Sequence, residues 1–144
     1  MEITIVDIAP GQPEMAAVVA PLIQALRPDL GVGFSEFAEE GHRQGLVFTG
    51  AFDPQGHCLG VATHRVLATS RGRLLFIDDL ITAPEARSRG VGARLLTEME
   101  HRARAAGCVR IELDSGVTNV GAHRFYHGQG MSIMAFHFAR SVDG

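Results

Sequence analysis

The sequence predicts an α/β (α+β) fold, a central mixed, mostly antiparallel sheet with helices on both faces. Three β-rich runs separated only by turn signals predict an antiparallel meander in the middle of the chain. A strand, a long amphipathic helix and another strand then follow, and that order requires a right-handed crossover and a parallel pair. The run Leu74 to Thr82 is apolar on both of its alternating faces until Asp78 and Asp79, as in a central strand covered by helices.

Each element has its own local signal. Glu2 to Val6 is a short β-branched strand. Gly11 to Leu26 places Met15, Val18, Val19, Leu22 and Leu26 at helical spacing; Pro13 suits its first turn, Pro21 kinks or splits it, and Pro28 forbids continuation. Ser35 is expected to cap a second helix whose first turn carries Glu36, Glu39 and Glu40, with Gly45 as its stop. Those carboxylates read as a solvated helix start, with a substrate-side role as the minority option. Phe34 and Phe37 read as core, with an acceptor pocket as the alternative. Leu46 to Phe52 and His57 to Leu67 are strands joined by the turn Asp53-Pro54-Gln55-Gly56, and Arg71-Gly72 turns the chain into Leu74 to Thr82.

The adjacent acids Asp78 and Asp79 either point to opposite faces or mark a bulge. Gly90 to Ala106 reads as a helix burying Val91, Leu95, Met99, Ala103 and Ala106, with outward Glu98–Arg102 and Glu100–Arg104 pairs and Gly107 as its cap. Val109, Ile111 and Leu113 alternate with Arg110, Glu112 and Asp114 as the next strand. Thr118 or Asn119 starts a short helix through His127, closed by Gly128 and Gly130, and Met131 to Phe138 is expected to complete the sheet as a strand.

Composition narrows the class. A length of 144 residues is enough for one domain, 1–144, with a real core, and 46% hydrophobic with 20% charged residues is ordinary for a globular protein. The formal charge of −3 argues against nucleic acid or an anionic membrane as a general partner. No apolar run approaches the length that spans a bilayer, no secretory leader is apparent, and a bacterial-type cytoplasmic protein is expected. Cys58 and Cys108 have neither metal nor redox spacing, and His64, His127 and His137 are scattered, so no metal site is expected.

The chemistry concentrates in Arg87-Ser88-Arg89-Gly90-Val91-Gly92-Ala93, between the strand ending at Thr82 and the helix opening at Gly90. A helix start leaves backbone N–H groups unpaired at the positive end of the helix dipole. Gly90 and Gly92 lack a Cβ and let a bulky anion approach, and Arg87 and Arg89 add fixed positive charge. The physical expectation is a pyrophosphate site; the plainer alternative is a surface loop with a glycine cap. A P-loop is ruled out because the chain has no lysine. A dinucleotide fingerprint is supported by Gly90, Gly92 and a suitably spaced Glu112, but Leu95 stands where its third glycine belongs. The pattern R-x-x-G-x-G/A is filled by Arg87, Gly90 and Gly92 without mismatch.

That pattern resembles the GNAT superfamily of N-acetyltransferases, and the order β, α, α, β, β, β, α, β, α, β is similar to the family layout over essentially the whole chain. A second block, Glu112 to Tyr126, resembles the family segment in which an Asn opens a helix ending in Phe-Tyr; Asn119, Ala122, Phe125 and Tyr126 fill those positions. One departure is a short tail after Gly130, which leaves one bent strand or two. The resemblance implies a sheet splayed between its middle strands, acetyl-CoA (coenzyme A) as cosubstrate without a metal, and a primary amine of a small molecule or peptide as acceptor in a ternary complex. It implies a cradle for the diphosphate at Arg87, Ser88, Arg89, Gly90, Val91, Gly92 and Ala93. The pantetheine arm would add along Leu80, Ile81 and Thr82, with Asn119 and Phe125 on its other side.

The same resemblance implies a backbone N–H near Asp79-Leu80 to polarise the thioester carbonyl. Asp78 is the first choice of general base, Glu112 the second, and Tyr126 the proton donor to the leaving thiolate. Transfer of a longer acyl group, or a non-catalytic acyl-CoA sensor or interaction module, stays open on the same residues. So do the identity of the acceptor and a homodimer.

Overall fold

The computed structural model of the chain describes residues 2–143, and the chain divides into two compact units between Leu113 and Asp114. The first unit is built on a five-stranded sheet whose spatial order follows the sequence: β1 (Thr4–Ile8), β2 (Val47–Phe52), β3 (Cys58–Thr69), β4 (Gly72–Thr82) and β5 (Arg110–Leu113). The first three pairings are antiparallel and the last is parallel, as the meander and the crossover require.

Pro21 acts on the first helix as its missing N–H dictates. The chain makes a π-helical turn, Met15–Val19, in which the Ala20 N–H reaches back to the Met15 carbonyl, and only then enters α1 (Ala20–Leu26). α2 (Phe34–Arg43) corrects the sequence expectation at its start. Gly33 is the N-cap, extended at φ −62° and ψ 147°, so Ser35 lies inside the first turn and caps nothing; of the three carboxylates only Glu36 is in that turn. Gly45, at φ +89°, lets the Leu46 N–H fold back onto the Gly41 carbonyl at 2.8 Å, which stops the helix and drives Leu46 into the core.

Ile8, Met15, Val19, Ile23, Ala38, Leu46, Phe48 and Val61 form one core cluster. Phe34 and Phe37 pack edge-on against Phe48 with ring centroids 6.4 and 6.0 Å away, so both aromatics are part of this core.

α3 (Val91–Ala105) buries Val91, Leu95, Leu96, Met99 and Ala103. Ala106 falls at its C-cap and is exposed, against expectation, because the helix has already ended there. A Cβ on Gly60 of β3 would stand 2.8 Å from the Ile81 carbonyl oxygen and 2.9 Å from Val91 Cγ1. Gly60 therefore sets how closely α3 packs. Its neighbour Val61 points into the α1–α2 core, and adjacent strand residues face opposite ways, so the two helical layers cover opposite faces.

The Glu98–Arg102 pair forms at 3.0 Å and Glu100–Arg104 at 3.8 Å, but Arg102 is not outward. Its guanidinium turns to the sheet, donating to Asp7 on β1 and approaching Thr49 Oγ1 on β2, while the Thr49 hydroxyl donates to Asp7. Beside this network His64 is buried, and its Nδ1 has no hydrogen-bond partner among the described residues. Burial first, and the Arg102 charge second, push the imidazole down from 6.5 to about 4.

The second unit holds α4 (Val120–Gly128), opened by Asn119, whose Oδ1 accepts from the Ala122 N–H at 3.3 Å. Gly130 at φ +84° closes it, with the Met131 N–H on the Tyr126 carbonyl. The expected strand Met131 to Phe138 is absent: residues 131–140 form neither helix nor strand, and nearly all are exposed. An apolar run becomes a strand only where a neighbouring backbone completes its ladder.

His64 makes stability pH-dependent. Its folded pKa of about 4 lies below the unfolded value of 6.5, so the unfolded chain binds more protons between them. Stability is fully present above pH 6.5 and falls as pH drops toward 4, by up to about 3 kcal/mol. Urea unfolding of the native chain and of His64→Leu between pH 7 and 4 checks this; the variant's curve should be flatter by that amount.

Candidate active site

β4 carries the site through three local features. The first is where its pairing stops. β5 follows β4 only from Leu74–Arg110 to Ile77–Leu113, whereas β4 continues to Thr82 paired with β3 alone. Leu80, Ile81 and Thr82 are held on one side by Ala62, Val61 and Gly60, and no strand of the first unit takes the other side. A backbone edge of this kind can accept an extended ligand as an added strand.

The second feature is a β-bulge. Thr63 pairs with Asp79 and His64 with Ile77, so Asp78 is an extra residue in β4. The bulge resolves the two readings of the adjacent acids: the regular alternation is broken, and both carboxylates line one cavity. Asp79 is buried, accepts from the Thr63 hydroxyl at 2.7 Å and pairs with Arg27 Nε at 3.1 Å. Asp78 is met by both arms of Arg65, Nε and Nη2, at 3.1 Å each, and its backbone carbonyl accepts from Arg27. An ionised carboxylate has about four acceptor positions, so the Arg65 fork does not exhaust Asp78. The cavity has a volume of about 410 Å³, with Ile23, Phe37 and Leu46 as apolar wall and Asp29 exposed at its rim.

The third feature is the loop after β4. The Ala83 N–H bonds to the Leu59 carbonyl at 2.8 Å, and Pro84–Ala86 makes a 3-10 turn that buries Ala86. Ser88 then takes φ +66°, the one positive φ outside glycine among the described residues, and Gly90 takes φ +78° as the N-cap of α3. A non-glycine residue held there costs about 1–2 kcal/mol. Gly90 in the left-handed region followed by helical Val91 aims successive N–H groups to one side, a concavity suited to an anion. No side chain caps this end of α3, and Arg87, Ser88, Arg89 and Gly90 are all exposed. The loop has the donors and charge that a diphosphate needs.

The remaining sequence candidates fall elsewhere. Glu112 stands across from Phe76, and its carboxylate is bridged to Arg110 at 3.0 Å and Arg71 at 3.5 Å. Arg71 belongs to the turn that starts β4, at the opposite end from Thr82, and Glu112 does not line the cavity. In the second unit Asn119 and Tyr126, seven residues apart, lie on one face of α4. Phe125 and Tyr126 meet edge-on with centroids 5.4 Å apart, and burial pushes the Tyr126 phenol above its ordinary value. Arg27 and Arg65 were not visible as site residues in the sequence, because only the pairing of β3 with β4 and the turn of α1 bring them to the acids.

A strand open along one edge thus leads through a left-handed turn into a helix whose start no side chain caps. The acetyltransferase (GNAT) family model matches residues 20–131, and the chain belongs to that family. It is 38% identical over 73 residues to the uncharacterized N-acetyltransferase YhdJ of Bacillus subtilis, covering 50% of this chain and 51% of that protein. It is 33% identical over 66 residues to the aminoalkylphosphonate N-acetyltransferase of Salmonella typhimurium, covering 46% and 43%. The matched stretch thus spans about half the length of these relatives. Among solved structures, AAC(6')-Iy in complex with the bisubstrate analog CoA-S-monomethyl-acetylneamine superposes with a TM-score of 0.80 at 17% identity, over 98% of this chain and 99% of that one. The fold is therefore the GNAT fold.

The buried Asp79 carboxylate depends on its hydroxyl partner. Thr63→Val keeps the shape and removes the 2.7 Å bond, which is expected to lower unfolding free energy by about 2 kcal/mol in denaturant titration.

Proposed function

We propose that this chain transfers an acetyl group from acetyl-CoA to a primary amine of a small molecule or peptide, with both bound at once. The observation that carries the reading is the junction of β4 and α3, where an open backbone edge runs directly into a glycine- and arginine-bearing helix start. The family membership supports an acetyltransferase. The bisubstrate complex of AAC(6')-Iy supports coenzyme A as the carrier, and the aminoalkylphosphonate enzyme supports a small amine as acceptor.

Acetyl-CoA, when bound, supplies a thioester whose acyl carbon the amine attacks. The protein's own groups do the rest. The N–H groups at Val91, Gly92 and Ala93, with Arg87, Ser88, Arg89 and Gly90, hold the diphosphate. Leu80, Ile81 and Thr82 offer backbone donors and acceptors to the amides of the pantetheine arm, and the family resemblance assigns Asn119 and Phe125 to the same arm. A backbone N–H at the bulge, Asp79-Leu80, steadies the negative charge that develops on the acyl oxygen.

An alkyl ammonium must lose a proton before it can attack. Asp78 takes it, directly or through a water, and is preferred over Glu112 because it lines the cavity while Glu112 is bridged by two arginines. Tyr126 returns a proton to the thiolate. A phenol is protonated at neutral pH and so available as a donor. The side of the cavity carries Asp29, Asp78 and Asp79 against Arg27 and Arg65, an excess of one negative charge that favours a cationic acceptor.

Two variants test this. Tyr126→Phe should lower kcat by roughly 100-fold with coenzyme A affinity unchanged, measured by thiol release and by calorimetry; equal loss of both would make Tyr126 structural. Arg89→Glu should weaken coenzyme A binding by roughly 10-fold or more with the circular dichroism spectrum unchanged. Unchanged affinity would place the diphosphate elsewhere.

A further inference from the structure

The cavity beside the bulge is finished with charges of both signs. Asp78 is gripped by Arg65 and Asp79 by Arg27, so each inner carboxylate already has a guanidinium of its own. The surplus negative charge belongs to Asp29, which is exposed at the rim, where salt screens it. A plain ammonium that enters this space meets acids whose charge is largely answered. The guanidiniums are answered less fully. Such a group donates from all of its nitrogens. Arg65 uses Nε and Nη2 on the Asp78 carboxylate, and Arg27 uses Nε on Asp79 and Nη2 on the Asp78 carbonyl. Among the described residues, Nη1 of neither arginine has a hydrogen-bond partner, although both side chains line the cavity.

Asp78 keeps acceptor capacity beside those donors, because the Arg65 fork does not exhaust its oxygens. One space of about 410 Å³ therefore presents an acceptor for an amine and two donors for an oxyanion. We propose that the acceptor is a free amino acid with an apolar side chain: its amine on Asp78, its carboxylate on the Nη1 groups of Arg27 and Arg65, its side chain against Ile23 and Phe37. For its chemistry this rests on the acetyl transfer proposed above, to which it adds the class of acceptor. A ligand carrying both charges answers both sets of groups, whereas a ligand of one sign leaves the other set unanswered. Guanidinium–carboxylate bonds are also among the stronger hydrogen bonds. The apolar wall is fixed, since Ile23 and Leu46 belong to the core cluster and Phe37 packs against it. The volume lies near the low end of the roughly 300–1,000 Å³ range of ligand sites, which suits a compact molecule. In the transfer the amine nitrogen bonds to the acyl carbon as the carbon–sulfur bond breaks. Of the two protons the ammonium loses, one leaves through Asp78 to solvent and the thiol carries the equivalent of the other. The product keeps its carboxylate and has lost its positive charge, so the negative side of the cavity repels it and helps it leave.

The test compares leucine, leucinamide and isopentylamine, which share one carbon skeleton, as acceptors for the full chain with acetyl-CoA. Leucinamide stands in for the amine of a peptide, and isopentylamine is leucine without its carboxylate. Leucine should lead both in kcat/KM, read by thiol release, by about 10-fold or more. Equal or faster transfer to the amide or the bare amine overturns the proposal and leaves acetyl transfer standing. In Arg27→Gln the preference for leucine over isopentylamine should fall by about 10-fold. Both acceptors are measured on one preparation, so a loss of folded protein lowers the two rates alike and does not move their ratio. Arg27→Lys, which keeps the charge without the fork, should fall between. A preference that survives in Arg27→Gln overturns the proposal. Calorimetric binding of the same three compounds, with and without coenzyme A, separates the two readings. Carboxylate-dependent binding of leucine to a chain that acetylates none of them would remove the reaction and keep this site. No binding of leucine at millimolar concentration removes the site, whatever the chain acetylates.

Discussion

The contact between Gly60 and the first residue of α3 sets the geometry of the junction between β4 and α3. β3 passes under α3 so closely that the Ile81 carbonyl and the Val91 side chain occupy the space a methyl group would need. Gly60 is also the partner of Thr82, the last residue of β4. One small residue therefore fixes both the end of the open strand and the start of the helix, and the loop between them has to span a set distance. That loop holds left-handed turns at Ser88 and Gly90, and the residues that flank them, Ala86 and Val91, are buried.

The bulge at Asp78 has a comparable organising effect on the opposite face of the sheet. In a regular strand two consecutive acids could not share a cavity, and one of them would meet the α3 layer. The extra residue keeps both on the α1 side, where each finds an arginine from a different element, Arg65 from β3 and Arg27 from the end of α1. The ion pairs are structural supports as well as site chemistry. A buried carboxylate bonded to a hydroxyl and a guanidinium holds α1 against β4 and keeps the adjacent Asp78 backbone in its irregular conformation.

The strand order, the crossover and the β4–loop–α3 junction were legible in the sequence because each is written locally: turn dipeptides, alternation, and glycines at the positions that need left-handed backbone. Pro21 announced a disrupted helix, and Asn119 announced a cap. The sequence was silent where the outcome depends on residues far apart. Ser35 read as the cap, but α2 begins two residues earlier, after Gly33, where Phe34 and Phe37 pack on Phe48. Arg102 forms the expected pair with Glu98 and also reaches Asp7 across the sheet, which no local spacing announces. Asp78 and Asp79 could be read two ways, since their orientation depends on the register with β3, where Thr63 and His64 face Asp79 and Ile77. Met131 to Phe138 has strand composition, but composition does not supply the neighbouring backbone a ladder needs.

The Arg102–Asp7 bridge joins residues 95 positions apart, and this has a bearing on how the molecule is made. β1 sits at the sheet margin, largely exposed, and its ionic anchor is contributed by a helix near the other end of the first unit. During synthesis the opening strand therefore waits for more than ninety residues to emerge before its tether exists. Closing so long a loop is entropically costly and slow, so secure attachment of β1 belongs among the final events of folding. Until then β1 is held to β2 by its ladder alone, and a loosely held edge is where a nascent chain is most susceptible to pairing with the wrong partner.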